Sequence, residues 1–340
     1  MSTGCDQGRP DTVAVHNKII LQVLDLCIEF YTAAGVVRAV NNISFSLPAG
    51  QVLALAGESG SGKTVTALSI LNLVAEPGRI TAGKILLGNQ NLCDLPEAAL
   101  EKIRGKQIGM IFQNPLSALN PALKIGSQFL EAIQTHQQTS PREARQFSTG
   151  WLQLLGLQEP ERIMASYPWQ LSIGMCQRVV SAMALALQPQ VLIADEPTSA
   201  LDVGLQVKLI EEIDRLRRSS RSTVLFITHD LYLAQQIADS LAIMYAGSII
   251  EYGKLRQLVN QPRHPYTQGL LQARILPGKP EIAFIPGMPP SLRDLPANQC
   301  AFEPRCRYSK RICREQKPVL LPADTGQTVA CHLIRRQEGL

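Results

Sequence analysis

The chain has 340 residues, 45% of them hydrophobic, and 33 Lys and Arg against 28 Asp and Glu give a formal net charge of +5. That length can bury one sizeable core and leaves residues over for a small extra module. No apolar run approaches the roughly 20 residues of a membrane-spanning helix, and the scattered Lys and Arg form no stripe of the kind that binds nucleic acid, so a soluble chain with no nucleic-acid partner is expected.

Residues 1–18 are polar and lack the basic-then-apolar layout of a secretory signal. They are read as a loose leader, and the cytoplasm as the compartment. Ile19 to Phe30 and Val40 to Leu47 alternate apolar and polar side chains as half-buried strands do. Gln51 to Ala56 is a short apolar run that enters a glycine-rich turn, and Val65 to Val74 then takes helical spacing. From Asn114 to Cys176 the pattern is helical, punctuated by Pro115, Pro121, Pro141, Pro160 and Pro168, and suggests an inserted helical subdomain.

Val191 to Ala194 and Ser222 to Thr228 read as buried strands. A helix is expected from Leu231 to Ser240, and a hairpin pairs Leu241 to Tyr245 with Ser248 to Tyr252 across Ala246-Gly247. Strands alternating with helices imply an α/β fold with a mostly parallel sheet. Beyond His264-Pro265 the composition turns proline-rich, as in Ile285-Pro286-Gly287-Met288-Pro289-Pro290, which places a domain boundary near residue 265.

Gly57-Glu58-Ser59-Gly60-Ser61-Gly62-Lys63-Thr64 matches the P-loop spacing between a buried strand and a helix. Glycines let the backbone curl so that successive N–H groups face phosphates, and the helix N-terminus adds its positive dipole end. Lys63 reaches the terminal phosphates and Thr64 offers a hydroxyl to magnesium. The strand from Val191 ends in two carboxylates: Asp195 suits the magnesium hydration shell, and Glu196 is placed to orient or deprotonate an attacking water.

Between these motifs, Leu171-Ser172-Ile173-Gly174-Met175-Cys176-Gln177-Arg178 resembles the signature segment of the ABC ATPases. With that resemblance, Gln113 falls at the Q-loop, where it joins Thr64 and Asp195 as a magnesium contact, Ser199 to Asp202 at the D-loop, and His229 at the γ-phosphate switch. Phe30, or its neighbour Tyr31, falls near the adenine-stacking aromatic, with a core aromatic an equally good reading. The resemblance implies a P-loop NTPase domain over residues 19–265, with a core sheet, an antiparallel β subdomain and a helical subdomain at about 114–176. Two such domains would sandwich two ATP molecules, with Ser172 and Gly174 reaching the partner's nucleotide. Ile173 and Cys176 depart from the family pattern of a glycine and an arginine. A β-branched side chain at 173 should weaken the contact with the partner's phosphate.

Arg263 to Thr267, Ile285 to Leu292 and Gln299 to Cys306 closely resemble the tail of the oligopeptide/dipeptide importer ATPases. The resemblance makes residues 266–340 a C-terminal module. It implies a peripheral ATPase on the cytoplasmic face of the inner membrane that energises peptide import. The expected partners are a second, different ATPase subunit, two permease subunits and an extracytoplasmic substrate-binding protein. A nickel or metal-chelate importer and a weakly hydrolysing regulatory subunit are the alternatives. Soluble ABC ATPases of translation or repair fit less well, because this chain has one P-loop and its crowded cysteines follow it. Cys300, Cys306, Cys313 and Cys331 match the tail cysteines through which some relatives bind an iron–sulfur cluster. Their spacing lacks the close C-x2-C pairs of structural zinc, so a [4Fe–4S] cluster is preferred to zinc, with plain buried thiols as the third reading.

Overall fold

Every residue of the strand Val52–Ala56 is buried, as an apolar run enclosed on both faces of a sheet must be. The computed structural model describes residues 18–273, 285–296, 298–323 and 326–334; the leader, Lys18 apart, lies outside them. Val52–Ala56 pairs in parallel with Thr223–Thr228 on one side and Ser240–Tyr245 on the other. Val191–Asp195 and Ile108–Ile111 extend the parallel part beyond Thr223–Thr228. On the other flank Ser248–Lys254, Thr328–Val329 and Leu321–Pro322 continue the sheet antiparallel, to eight strands.

Register determines what this sheet delivers at its end. Ala56 lies beside Thr228, and Asp195 beside Ile227. The residues that follow these strands, Gly57, Glu196 and His229, therefore emerge along one edge, where ligands bind in parallel α/β sheets.

A separate four-stranded antiparallel sheet, in the order Gly35–Pro48, Ile19–Thr32, Gly78–Leu87, Gln90–Asn91, shares a core with one face of the large sheet. The first two strands match the alternation read from the sequence. Gly78–Leu87 does not announce itself: only its first residue, Ile85 and Leu87 are buried, so it shows no apolar alternation. Ile108–Ile111 is likewise absent from the sequence reading, being only four residues long. The helix expected over Val65 to Val74 runs instead from Lys63 to Ile70 and is closed by Asn72 in the left-handed region.

The insertion folds as the helices Pro115–Ala118, Ile125–His136, Pro141–Leu154 and Pro160–Ala165, and Ile173–Ala186 leads back to the sheet. Pro115, Pro141 and Pro160 each open a helix, where the missing N–H is not needed. Ser140 and Glu143 close a reciprocal capping box. Phe129, Ile133, Leu152 and Val179 are fully buried between these helices.

The composition shift near residue 265 does not coincide with a break in packing. Pro265–Gln272 is helical, and the Tyr266 ring lies 4.6 Å from Tyr245 and 5.4 Å from Phe302. The tail has too few apolar residues for a core of its own, so it completes one against the outer face of Ser240–Tyr245 and adds Thr328–Val329 to the sheet. Among the described residues no helix is long and apolar enough to cross a membrane.

Candidate active site

The phosphate loop is held by close backbone approach. A Cβ on Gly57 would stand 2.1 Å from the Met244 carbonyl oxygen. Gly62 has φ +101°, and a Cβ there would stand 2.4 Å from the Ala39 carbonyl oxygen. Only glycine fits either position. The helix Lys63–Ile70 starts immediately after the loop, so its unpaired N–H groups face the concavity that the loop encloses.

Lys63 is 5% exposed. Its Nζ donates to the carbonyl oxygens of Gly57 and Glu58, both at 2.8 Å. Burial lowers its pKa, while the charges of Glu196, Asp195 and Glu58 pull it back up. Asp195, 1% exposed, is pushed up to about 6, first by burial; the Thr64 hydroxyl and Lys63 act against the rise, and Glu196 adds to it. Among the described residues neither Asp195 oxygen has a hydrogen-bond partner of normal geometry. A buried carboxylate with both oxygens unpaired, facing a hydroxyl, suits the hydration shell of a divalent cation.

Glu196 stands at φ +45°, its N–H donating to the Ile227 carbonyl oxygen at 3.0 Å. A non-glycine residue in the left-handed region is the kind of local strain found where a side chain must be aimed. Two further side chains converge on the Glu196 carboxylate: Gln113 Nε2 donates to Oε2 at 3.3 Å, and His229 Nδ1 lies 3.2 Å from the same oxygen. Three residues far apart in sequence thus share one atom.

Ser172 caps the helix Ile173–Ala186, its Oγ accepting from the Met175 N–H at 3.2 Å. Ile173 points outward, 57% exposed, and the cap geometry is ordinary. Its substitution for glycine therefore leaves the local fold intact. A Cβ on Gly174 would meet the Ala200 carbonyl oxygen at 3.0 Å, so the signature helix and the Ser199 to Asp202 turn pack closely. Asp202 caps the next helix, Val203–Ser220. Cys176 is buried, its Sγ 3.4 Å from the Pro168 carbonyl oxygen.

The aromatic expected for adenine divides by position. The Phe30 ring packs towards Gly78 and Val74 within the core under the antiparallel sheet, whereas Tyr31 is exposed. In the tail, burial pushes the Cys300 thiol up to about 12, with smaller contributions from Cys313, Cys331 and Cys306. The four sulfurs are near enough to influence one another. Even so, among the described residues no three or more His, Cys, Asp or Glu side chains are arranged to hold a metal ion, so the expected iron–sulfur cluster finds no support in this geometry.

One feature of the site had no signal in the sequence. Arg305, from the tail, forms a two-pronged ion pair with Glu58 of the phosphate loop. Nothing in the spacing of Gln299 to Cys306 distinguishes this arginine from its neighbour Arg307.

Residues 40–199 match the family model of the ABC transporter, and residues 250–313 match that of the oligopeptide/dipeptide transporter C-terminal region. The chain is 43% identical over 321 residues to the oligopeptide transport ATP-binding protein OppD of Bacillus subtilis (strain 168), covering 93% of this chain and 89% of the relative. It is 40% identical over 315 residues to the dipeptide transport ATP-binding protein DppD of Escherichia coli (strain K12), covering 92% and 96%. Among solved structures, a dimeric post-hydrolysis state of the ATP-binding cassette MJ0796 bound to ADP and Pi superposes with a TM-score of 0.63 at 28% identity, covering 69% of this chain and 99% of that one. With a phosphate loop, paired carboxylates and a transporter-type tail on one sheet, the chain belongs to the ABC transporter ATP-binding proteins, in the family of the oligopeptide and dipeptide transport ATPases.

Proposed function

We propose that the chain binds MgATP in the loop Gly57 to Thr64 and hydrolyses it to drive import of short peptides through membrane-embedded permease subunits. The observation that carries this reading is the convergence of Gln113 and His229 on Glu196, at the sheet edge that also presents Lys63 and Asp195.

In this reading the loop amides and the helix N-terminus take the β- and γ-phosphates, and Lys63 exchanges its two carbonyl partners for phosphate oxygens. Ser59, Gly60 and Ser61 contribute the curve of the loop. Magnesium would draw charge from the transferring phosphoryl group, and Thr64, Asp195 and Gln113 are the residues that would hold it. Glu196 accepts a proton from the attacking water as its oxygen bonds to the γ-phosphorus and the bond to ADP breaks. His229, already touching Glu196, orients the γ-phosphate. Tyr31, more exposed than Phe30, is the better platform for adenine.

Ser172 and Gly174 serve the nucleotide of a second ATPase subunit. That the MJ0796 cassette is dimeric with ADP and Pi bound supports pairing with a second ATPase subunit. The helical insertion after Gln113 carries closure to the permease, and an extracytoplasmic binding protein delivers cargo. The names of the OppD and DppD relatives support peptide over nickel or metal-chelate cargo. The relatives' names as transport ATP-binding proteins support a peripheral seat at the membrane, on its cytoplasmic face in this reading.

The test is phosphate release by the chain assembled with its permease and ATPase partners, beside Glu196→Gln. Loss of a general base costs about 100- to 10,000-fold. Turnover that needs the partners and falls by that factor supports the reading. A loss under tenfold, or negligible turnover in the wild-type complex, favours a regulatory subunit.

A further inference from the structure

Glu58 places a carboxylate inside a loop built for phosphates. Left unpaired, that charge would repel the nucleotide at short range, where partial burial weakens solvent screening. The structure supplies its partner from the far end of the chain. Arg305 Nη1 lies 2.7 Å from Glu58 Oε2, and Nη2 lies 3.0 Å from Oε1. Only 4% of the Arg305 side chain is exposed, against 26% of Glu58. Two parallel N–H···O bonds to a carboxylate fix orientation as well as charge.

The same guanidinium donates to the Tyr245 hydroxyl at 3.3 Å and, through Nε, to the Pro286 carbonyl oxygen at 2.9 Å. A second tail residue grips the backbone of Glu58, whose N–H donates to the Tyr266 hydroxyl at 2.9 Å. The Glu58 carbonyl oxygen in turn accepts from Lys63 Nζ. Tail, Glu58 and Lys63 are thus linked in an unbroken chain of hydrogen bonds.

We propose that Arg305 is a positioning residue for the nucleotide: by neutralising and orienting Glu58 it sets the phosphate loop, so that ATP affinity depends on how the C-terminal tail is seated. The inference rests on the reading of this loop as the ATP site. It assigns the tail a direct mechanical hold on nucleotide binding, separate from any role of its cysteines.

The experiment compares the full-length wild type with Arg305→Gln, Arg305→Lys, Glu58→Gln and the pair Arg305→Gln/Glu58→Gln. Binding of AMP-PNP with Mg2+ is measured by titration calorimetry, and KM and kcat for ATP in the assembled complex. Removing one partner of a charge-assisted pair should weaken nucleotide binding about tenfold in Arg305→Gln. The effect should fall on KM rather than kcat. Arg305→Lys, which keeps the charge but not the fork, should lie between Arg305→Gln and wild type. The decisive sign is that of the pair. If Arg305 neutralises Glu58, deleting the orphaned carboxylate restores part of the lost affinity. If Arg305 merely braces the tail, the pair binds as weakly as Arg305→Gln or more weakly, which overturns the proposal, as does an Arg305→Gln affinity within about twofold of wild type. Should Arg305→Gln not fold, an Arg305→Lys affinity equal to wild type overturns it equally. A wild type that binds no AMP-PNP would instead refute the ATP site itself.

Discussion

His264 sits where the tail helix meets the core, and its protonation should loosen that junction. The ring is 2% exposed, and its Nδ1 accepts the Tyr266 N–H at 3.0 Å, capping the helix that carries the Tyr266 hydroxyl to the phosphate loop. Burial holds its pKa down to about 3. The unfolded chain takes up a proton near pH 6.5 and the folded protein does not, so the stability present above pH 6.5 is lost as pH falls towards 3. Between pH 7.0 and 5.5 the loss from this one group is about 1.2 kcal/mol, from the usual 1.36 kcal/mol per unit. Glu251 opposes it. Its carboxylate accepts the N–H groups of Arg263 and His264, and burial raises its pKa, so folding favours its protonated form and the acid side loses less than His264 alone would take. His264→Asn isolates the histidine, because asparagine keeps a capping oxygen and the backbone N–H groups on Glu251 remain. Urea unfolding of both proteins at pH 7.0 and 5.5 should show wild type losing about 1.2 kcal/mol more than the variant. Parallel losses in the two proteins would refute the assignment of a neutral, buried His264.

Gly57→Ala puts a Cβ against a backbone carbonyl that cannot swing aside; overpacking of this kind costs about 1 to 3 kcal/mol, and AMP-PNP affinity should fall by about tenfold or more, with retention of wild-type affinity in a calorimetric titration counting against the loop geometry. Ile173→Gly should leave the fold nearly as stable, since the side chain is exposed at the first turn of its helix, with a melting point lowered by a degree or two for a propensity cost of about 1 kcal/mol at most. If the isoleucine obstructs the partner's phosphate, the same variant should raise ATP turnover of the assembled complex about fivefold, the equivalent of about 1 kcal/mol on the barrier; an unchanged rate would show that Ile173 is a neutral departure.

The elements legible in the sequence were those whose burial is simple. Val52–Ala56 and Thr223–Thr228 are buried throughout, and an unbroken apolar run shows this directly. Ala246 and Gly247, both at positive φ, make the expected hairpin turn. Gly78–Leu87 was illegible because most of it faces outward, and Ile108–Ile111 because four residues carry no period. Among the site residues, Gly57, Lys63, Thr64, Asp195 and Glu196 could be read because phosphate and magnesium chemistry demands those residue types at short, local spacings. Gln113 and His229 have no such local grammar; only the resemblance to the ABC ATPases pointed to them.

By itself, then, the sequence determined the chemistry that a single strand and its following turn can encode: a phosphate cradle, a pair of carboxylates, a run of capped helices. Tertiary structure decided what depends on distant segments arriving at one place. Parallel register set Glu196 and His229 on the same edge and brought Gln113 to them. Packing of a core-poor tail against Tyr245 carried Arg305 across 247 residues of sequence to Glu58. No local pattern records such a pairing, because an arginine's spacing from its neighbours says nothing of which carboxylate the fold will set in front of it.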